Sequence, residues 1–267
     1  MNKSLIYQFS IWLAEQLKDT AKYIFVYKKQ FARAFDDTVE MFWRAGLIAF
    51  AIGLLVGILL VISRKGGIRR NWVVYQLINL IINIFRAIPF MILMILLIPV
   101  TRAIVGKAIQ VEGAILPLVV GTVPFYARQV EVALSGVDDG KVEAARSMGS
   151  STLGLVFRVY LREAVPALIR VTTITAISLI GLTTIAGAVG AGGLGDFAKT
   201  YGQQQNHQDI VNVCVAVLLV FTIILQSIGN GLSRLTTNRK LITIRHRRKA
   251  VLEIPVTETA GSAEAEP

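Results

Sequence analysis

Three stretches of this chain contain no charged residue: Ala45 to Ile62, Val171 to Gly195 and Ile210 to Ser233. Each is mostly apolar and at least 18 residues long. A helix rises about 1.5 Å per residue, so about 20 such residues cross the hydrocarbon core of a bilayer. A lone strand there would leave its backbone N–H and C=O groups unpaired, whereas a helix pairs them internally. Two further segments extend the pattern. Trp72 to Pro99 is interrupted by Asn79, Asn83 and Arg86, and Gly113 to Ala127 is a shorter run whose helix should reach Val130 or beyond. The expected fold is an all-α integral membrane protein with about five transmembrane helices, near 42–63, 73–98, 111–130, 170–190 and 210–231.

The rest of the composition fits that frame. The chain has 267 residues, 54% hydrophobic and 17% charged, with a net charge of +11. Such a charge on a soluble protein would raise the prospect of nucleic acid. In a membrane protein it is better explained by lysine and arginine held on the cytoplasmic side, and no nucleic-acid partner is expected. With five spans, the loops 63–72 and 128–170 and the C-terminal tail share one side and carry 17 Lys/Arg. The opposite side carries 10, seven of them in the N-terminal tail through Arg44, so the first set is expected inside. Cys214 stands alone, which leaves no disulfide framework, and no signal-peptide pattern opens the sequence.

Three regions follow: an extension at 1–37, a membrane domain at 38–235 and a tail at 236–267. In the extension, Leu5, Phe9, Trp12, Leu13 and Leu17 recur at helical spacing, which suits a helix lying in the membrane interface against lipid; a solvated leader packed on the protein is the other reading. The tail changes from basic, "RKLITIRHRRK", to small, polar and acidic, "ETAGSAEAEP". The basic part suits an anionic inner leaflet, and the tail is expected to be disordered.

The loop before span four is the most informative segment. Lys141 to Met148 favours a short helix, and Gly149 can end it. From Thr152 a return helix is expected, with Leu153, Val156, Phe157, Tyr160 and Leu161 on one apolar face. Here "EAARSMG" resembles the EAA loop of ABC importer permeases, with Glu143, Ala144, Ala145 and Gly149 in register, followed by Val159 and Leu161. Arg162 stands where that pattern has proline, while Pro166 follows farther along, so the return helix is expected to kink differently. "NIFRAIPFMILMILLIPVTRAIVG", "GAILPLVVGTVPFYARQVEVAL" and "GAVGAGGLG" are similar to the methionine-importer branch, and the likeness covers about residues 38–235.

The resemblance implies a homodimeric permease in the bacterial cytoplasmic membrane. Two ABC ATPase subunits would dock below, and an extracytoplasmic solute-binding lipoprotein would deliver solute from above. The EAA helix would be the cytoplasmic coupling helix, with Ala144 and Ala145 permitting close approach to the ATPase and Glu143 able to cap a helix start or meet a basic group. ATP and magnesium would be held by the partner, with no cofactor, metal or catalytic residue on this chain. No G-x-x-x-x-G-K-[ST] stretch is present, which agrees with delegated energetics. The expected solute is methionine, D- or L-; other readings are another amino acid, an osmoprotectant, or a membrane scaffold without its own pathway.

Several polar or small residues inside the spans need an account. Arg86 lies in span two, three residues before Pro89, and intramembrane charge is costly unless it faces protein or water. It can meet a substrate carboxylate along a path that also includes Met91 and Met94, or it can bind carbonyls freed by Pro89 or snorkel to the inner face. The hydroxyls of span four, Thr172 to Thr184, fit interhelical packing. Gly53 and Gly57 form a small-xxx-small pair, and Arg128 can meet Glu131 at i, i+3. Gly190, Gly192 and Gly195 spell G-x-G-x-x-G, but the preceding apolar run is too long for a strand, so no dinucleotide site is read there. Gly190, Gly192, Gly193 and Gly195 instead let span four end tightly at the outer face, as a gate or docking point or as simple close packing.

Overall fold

The computed structural model describes residues 26–107 and 109–252, with side chains through residue 237. Its long helices are α1 (Lys28–Ser63), α5 (Gln110–Ser135), α7 (Thr152–Ala191) and α9 (Gln208–Leu252). Between them lie α2 (Trp72–Ala87), α3 (Phe90–Leu96), α4 (Ile98–Val105), α6 (Asp139–Ser147) and α8 (Gly193–Phe197). Among the described residues four helices are long and apolar enough to cross a membrane, or five if α2 and α3 form one broken span. The all-helical architecture is therefore as expected.

Span two departs from expectation. Instead of one helix over 73–98, α2 and α3 meet at an angle of 101°. The cause is local. Pro89 has no N–H to donate to the preceding turn, and its ring pushes Ile88 out of the helical region, to φ −78° and ψ 123°. Residue 38 falls inside α1, and α9 runs on to Leu252. A helix already nucleated by a membrane span adds residues without a second nucleation cost. The proposed interfacial helix near residues 5–17 and the acidic end lie outside the described residues.

The bundle is held by close approaches. A Cβ on Gly53 would stand 2.8 Å from Tyr126 Cδ1, and one on Gly57 would stand 2.6 Å from Val130 Cβ. The small-xxx-small pair therefore brings α1 against α5, as its spacing predicts. Phe50 meets the Tyr126 ring edge-on at 5.0 Å, and the Tyr126 hydroxyl lies 2.7 Å from Thr172 Oγ1, tying α1, α5 and α7 together. The other hydroxyls of span four are mostly turned to their own helix: Thr173, Thr175, Ser178, Thr183 and Thr184 donate to carbonyls three or four residues back.

Asn79 and Asn83 find a common partner. Arg128 of α5 donates to the side-chain oxygens of both and pairs with Glu131, while the Tyr75 hydroxyl donates to Glu131 Oε1 at 3.1 Å. The expected Arg128–Glu131 pair is thus the centre of a network joining α2 to α5. Such sharing lets Glu131, only 7% exposed, remain inside the bundle.

Candidate functional site

The loop read as a coupling element folds as expected, one or two residues early. Asp138 opens α6 by accepting from the Gly140 N–H at 2.8 Å, and Gly149, at φ +80°, reverses the chain after Met148. Ala145 is buried and Val142 half-buried, whereas Glu143 and Ala144 are exposed. Two ion pairs orient the helix, Lys141 to Glu163 at 2.9 Å and Arg64 to Asp139 at 4.0 Å. Exposed pairs of this kind add little stability, but they fix which face looks outward.

That outward face carries more than the motif. Met148, Leu153 and Phe157 are 80%, 69% and 64% exposed. The expected apolar face of the return helix is therefore divided: Val156 and Tyr160 pack inward, and Leu153 and Phe157 do not. The helix widens to a π turn over Leu155–Tyr160, which rotates successive side chains away from a single α-helical stripe. Arg162 and Pro166 both lie within the α-helical stretch Leu161–Ala186 of α7.

At the other end of the bundle, "GAVGAGGLG" turns the chain sharply. Gly190, Gly192 and Gly193 have φ of +100°, +83° and +79°, a region costly for residues with a Cβ. Gly195 has a different reason to be glycine: a Cβ there would collide with the Thr184 carbonyl. The turn is fastened to α1, since Thr38 Oγ1 accepts from the buried Leu194 N–H at 2.8 Å. Beside it opens a cleft of about 440 Å³ bordered by Arg33, Asp37, Glu40, Lys107, Glu112 and Asp196. The tight ending of span four is as expected; the contact with α1, 156 residues away, was not legible locally.

Within the membrane region the bend of span two leaves a cavity of about 280 Å³. It is bordered by Arg86 of α2, Phe90 of α3, Thr122 and Phe125 of α5, and Thr175 and Ser178 of α7. Arg86 is 14 residues beyond Trp72, about 21 Å along the axis, well away from the end where α6 lies. It makes no hydrogen bond or ion pair with any described residue, so no link to carbonyls at Pro89 is seen among them. Met91 and Met94 do not join it. Met94 is buried in the core with Met41 and Leu118, and Met91 is exposed.

Comparison with known proteins agrees with this architecture. Residues 49–240 match the family model described as binding-protein-dependent transport system inner membrane component. The chain is 41% identical to the probable D-methionine transport system permease protein MetI of Vibrio cholerae, over 76% of this chain and 90% of that one. It is 44% identical to the methionine import system permease protein MetP of Bacillus subtilis, over 68% and 82%. A solved inward-facing MetNI methionine ABC transporter superposes with a TM-score of 0.77 at 40% identity, covering 79% of this chain and 97% of that one. With the family model spanning most of the chain and the fold in agreement, the chain belongs to the family of binding-protein-dependent transport system inner membrane components, the permeases of ABC importers.

Proposed function

We propose that this permease moves methionine, D- or L-, into the cytoplasm as a homodimer driven by two copies of a separate ABC ATPase. The observation that carries the mechanism is α6 with the turn and helix that follow it: α6 is capped and tied by ion pairs, Ala144 on it is exposed, and so are Met148, Leu153 and Phe157 just beyond it. Small and apolar side chains there can seat in a groove of the ATPase without a desolvation cost for buried charge. Closure of the ATPase pair would move α6 and, through the long helix that starts at Thr152 and loses helical geometry at Gly190, the glycine turn at the opposite end. In this scheme ATP and magnesium belong to the partner, and a binding lipoprotein docks near Gly190, Gly192, Gly193 and Gly195.

The methionine reading is supported by relatives 41% and 44% identical, a probable D-methionine permease and a methionine import permease. It is tested by reconstituting the permease in liposomes with its ATPase and binding protein. Methionine should be taken up and should stimulate ATP hydrolysis. Stimulation by another amino acid or an osmoprotectant, with none by methionine, would replace the substrate. Failure of any ATPase to assemble would return the chain to a scaffold.

A further inference from the structure

We infer that the cavity at the bend of span two is a solute-binding site within the membrane, taking a zwitterionic amino acid with an apolar side chain. The inference rests on the importer reading above and adds a site to it. Two independent observations point to a ligand. Arg86 carries a full charge into the wall of the cavity and has no partner among the described residues. Thr122, 2% exposed, borders the same cavity, and its Oγ1 makes no hydrogen bond. A threonine in a helix can readily return its hydroxyl to a carbonyl of the preceding turn, as Thr175 and Ser178 do across the cavity. A buried hydroxyl without a described partner and an exposed guanidinium without one border the same cavity, an arrangement a ligand would complete.

The chemistry of the walls selects the ligand. A guanidinium matches a carboxylate with two parallel N–H donors. The hydroxyl protons of Thr175 and Ser178 are committed to Val171 O at 2.8 Å and Ile174 O at 3.0 Å, so their oxygens remain acceptors for an ammonium group. Among the described residues no Asp or Glu borders the cavity. The amino group is therefore held by hydroxyls alone, and the carboxylate is the stronger handle. Phe85, Phe90 and Phe125 supply the apolar wall, and aromatic rings favour a thioether beside them. The bend creates the space: Pro89 sends α3 away at 101°, while Gly121 lets the Phe90 ring approach, its Cδ2 lying 3.0 Å from where a Cβ would stand.

The test uses the assembled transporter in liposomes, with Cys214→Ala removing the native thiol and Leu182→Cys placing one at the cavity wall. Labelling by a small neutral methanethiosulfonate is timed with L-methionine, with methionine methyl ester, and with oleate. L-methionine should slow labelling roughly tenfold, the ester and oleate should not, and Arg86→Ala should remove the protection while leaving the thiol reactive. Thr122→Val should weaken protection severalfold, a loss that a purely structural arginine would not share. Absence of labelling, or protection unchanged by Arg86→Ala, would overturn the site. Protection by oleate alone would assign the cavity to lipid and overturn it equally. Wild-type transporter that takes up no methionine would instead overturn the importer reading, so the two failures are distinct.

Discussion

Replacing Gly57 by alanine tests whether α1 and α5 meet as closely as described. The added methyl would lie 2.6 Å from both Val130 Cβ and Cγ1, and 2.8 Å from the Ala127 carbonyl oxygen. Carbon atoms settle at about 3.5–4.0 Å, so the gap is short by about 1 Å. Rotating Val130 relieves only the Cγ1 contact; its Cβ and the Ala127 carbonyl move only with the backbone. Overpacking of this kind costs about 1–3 kcal/mol, partly offset by about 1 kcal/mol of better helix propensity. The net loss against wild type, about 0–2 kcal/mol, lowers the melting temperature by up to roughly 8 °C for a chain of this size, and the loss against a glycine-to-alanine control that meets no contact is about 1–3 kcal/mol. Gly231→Ala is the control, because its Cβ would meet nothing within 4 Å. The assay is thermal unfolding of the purified permease in detergent, both variants beside wild type. If Gly57→Ala melts at or above wild type while Gly231→Ala behaves the same way, the close approach is wrong.

Three other perturbations probe separate contacts. Glu131→Ala leaves Arg128 without its ion partner inside the bundle and should cost about 2–4 kcal/mol in the same melting assay. The double variant Arg128→Met with Glu131→Leu should recover much of that loss, and no recovery would argue against a paired network. Thr38→Val strands the buried Leu194 N–H, costing about 1–3 kcal/mol, whereas Thr38→Ser should melt near wild type. Met148→Glu should weaken co-purification of the ATPase roughly tenfold with the permease's own melting temperature unchanged, since Met148 is 80% exposed.

The bundle's long helices were legible because lipid imposes a one-dimensional rule. A residue facing hydrocarbon must be apolar whatever its neighbours, so charge-free runs mark α1, α7 and α9 directly. The short helix α6 was legible from local chemistry, its Asp138 cap and its Gly149 stop. Pro89 announced a disturbance in span two without its size. The angle of 101° depends on what α3 can pack against, and Phe90 finds that support at Gly121, some 30 residues on. Leu153 and Phe157 were placed on the wrong side because a π turn breaks the period from which faces are read.

By itself, then, the sequence determined that this chain crosses a membrane as helices, where most of them lie, and where the turn before α7 falls. Each of these follows from contacts with solvent or with residues a few positions away. Only the tertiary structure decided that Asn79 and Asn83 serve Arg128, that Met94 belongs to the core, and that Arg86 and Thr122 share one cavity. Those pairings join residues dozens of positions apart, and their geometry is set by how helices pack, which no periodicity along the chain records.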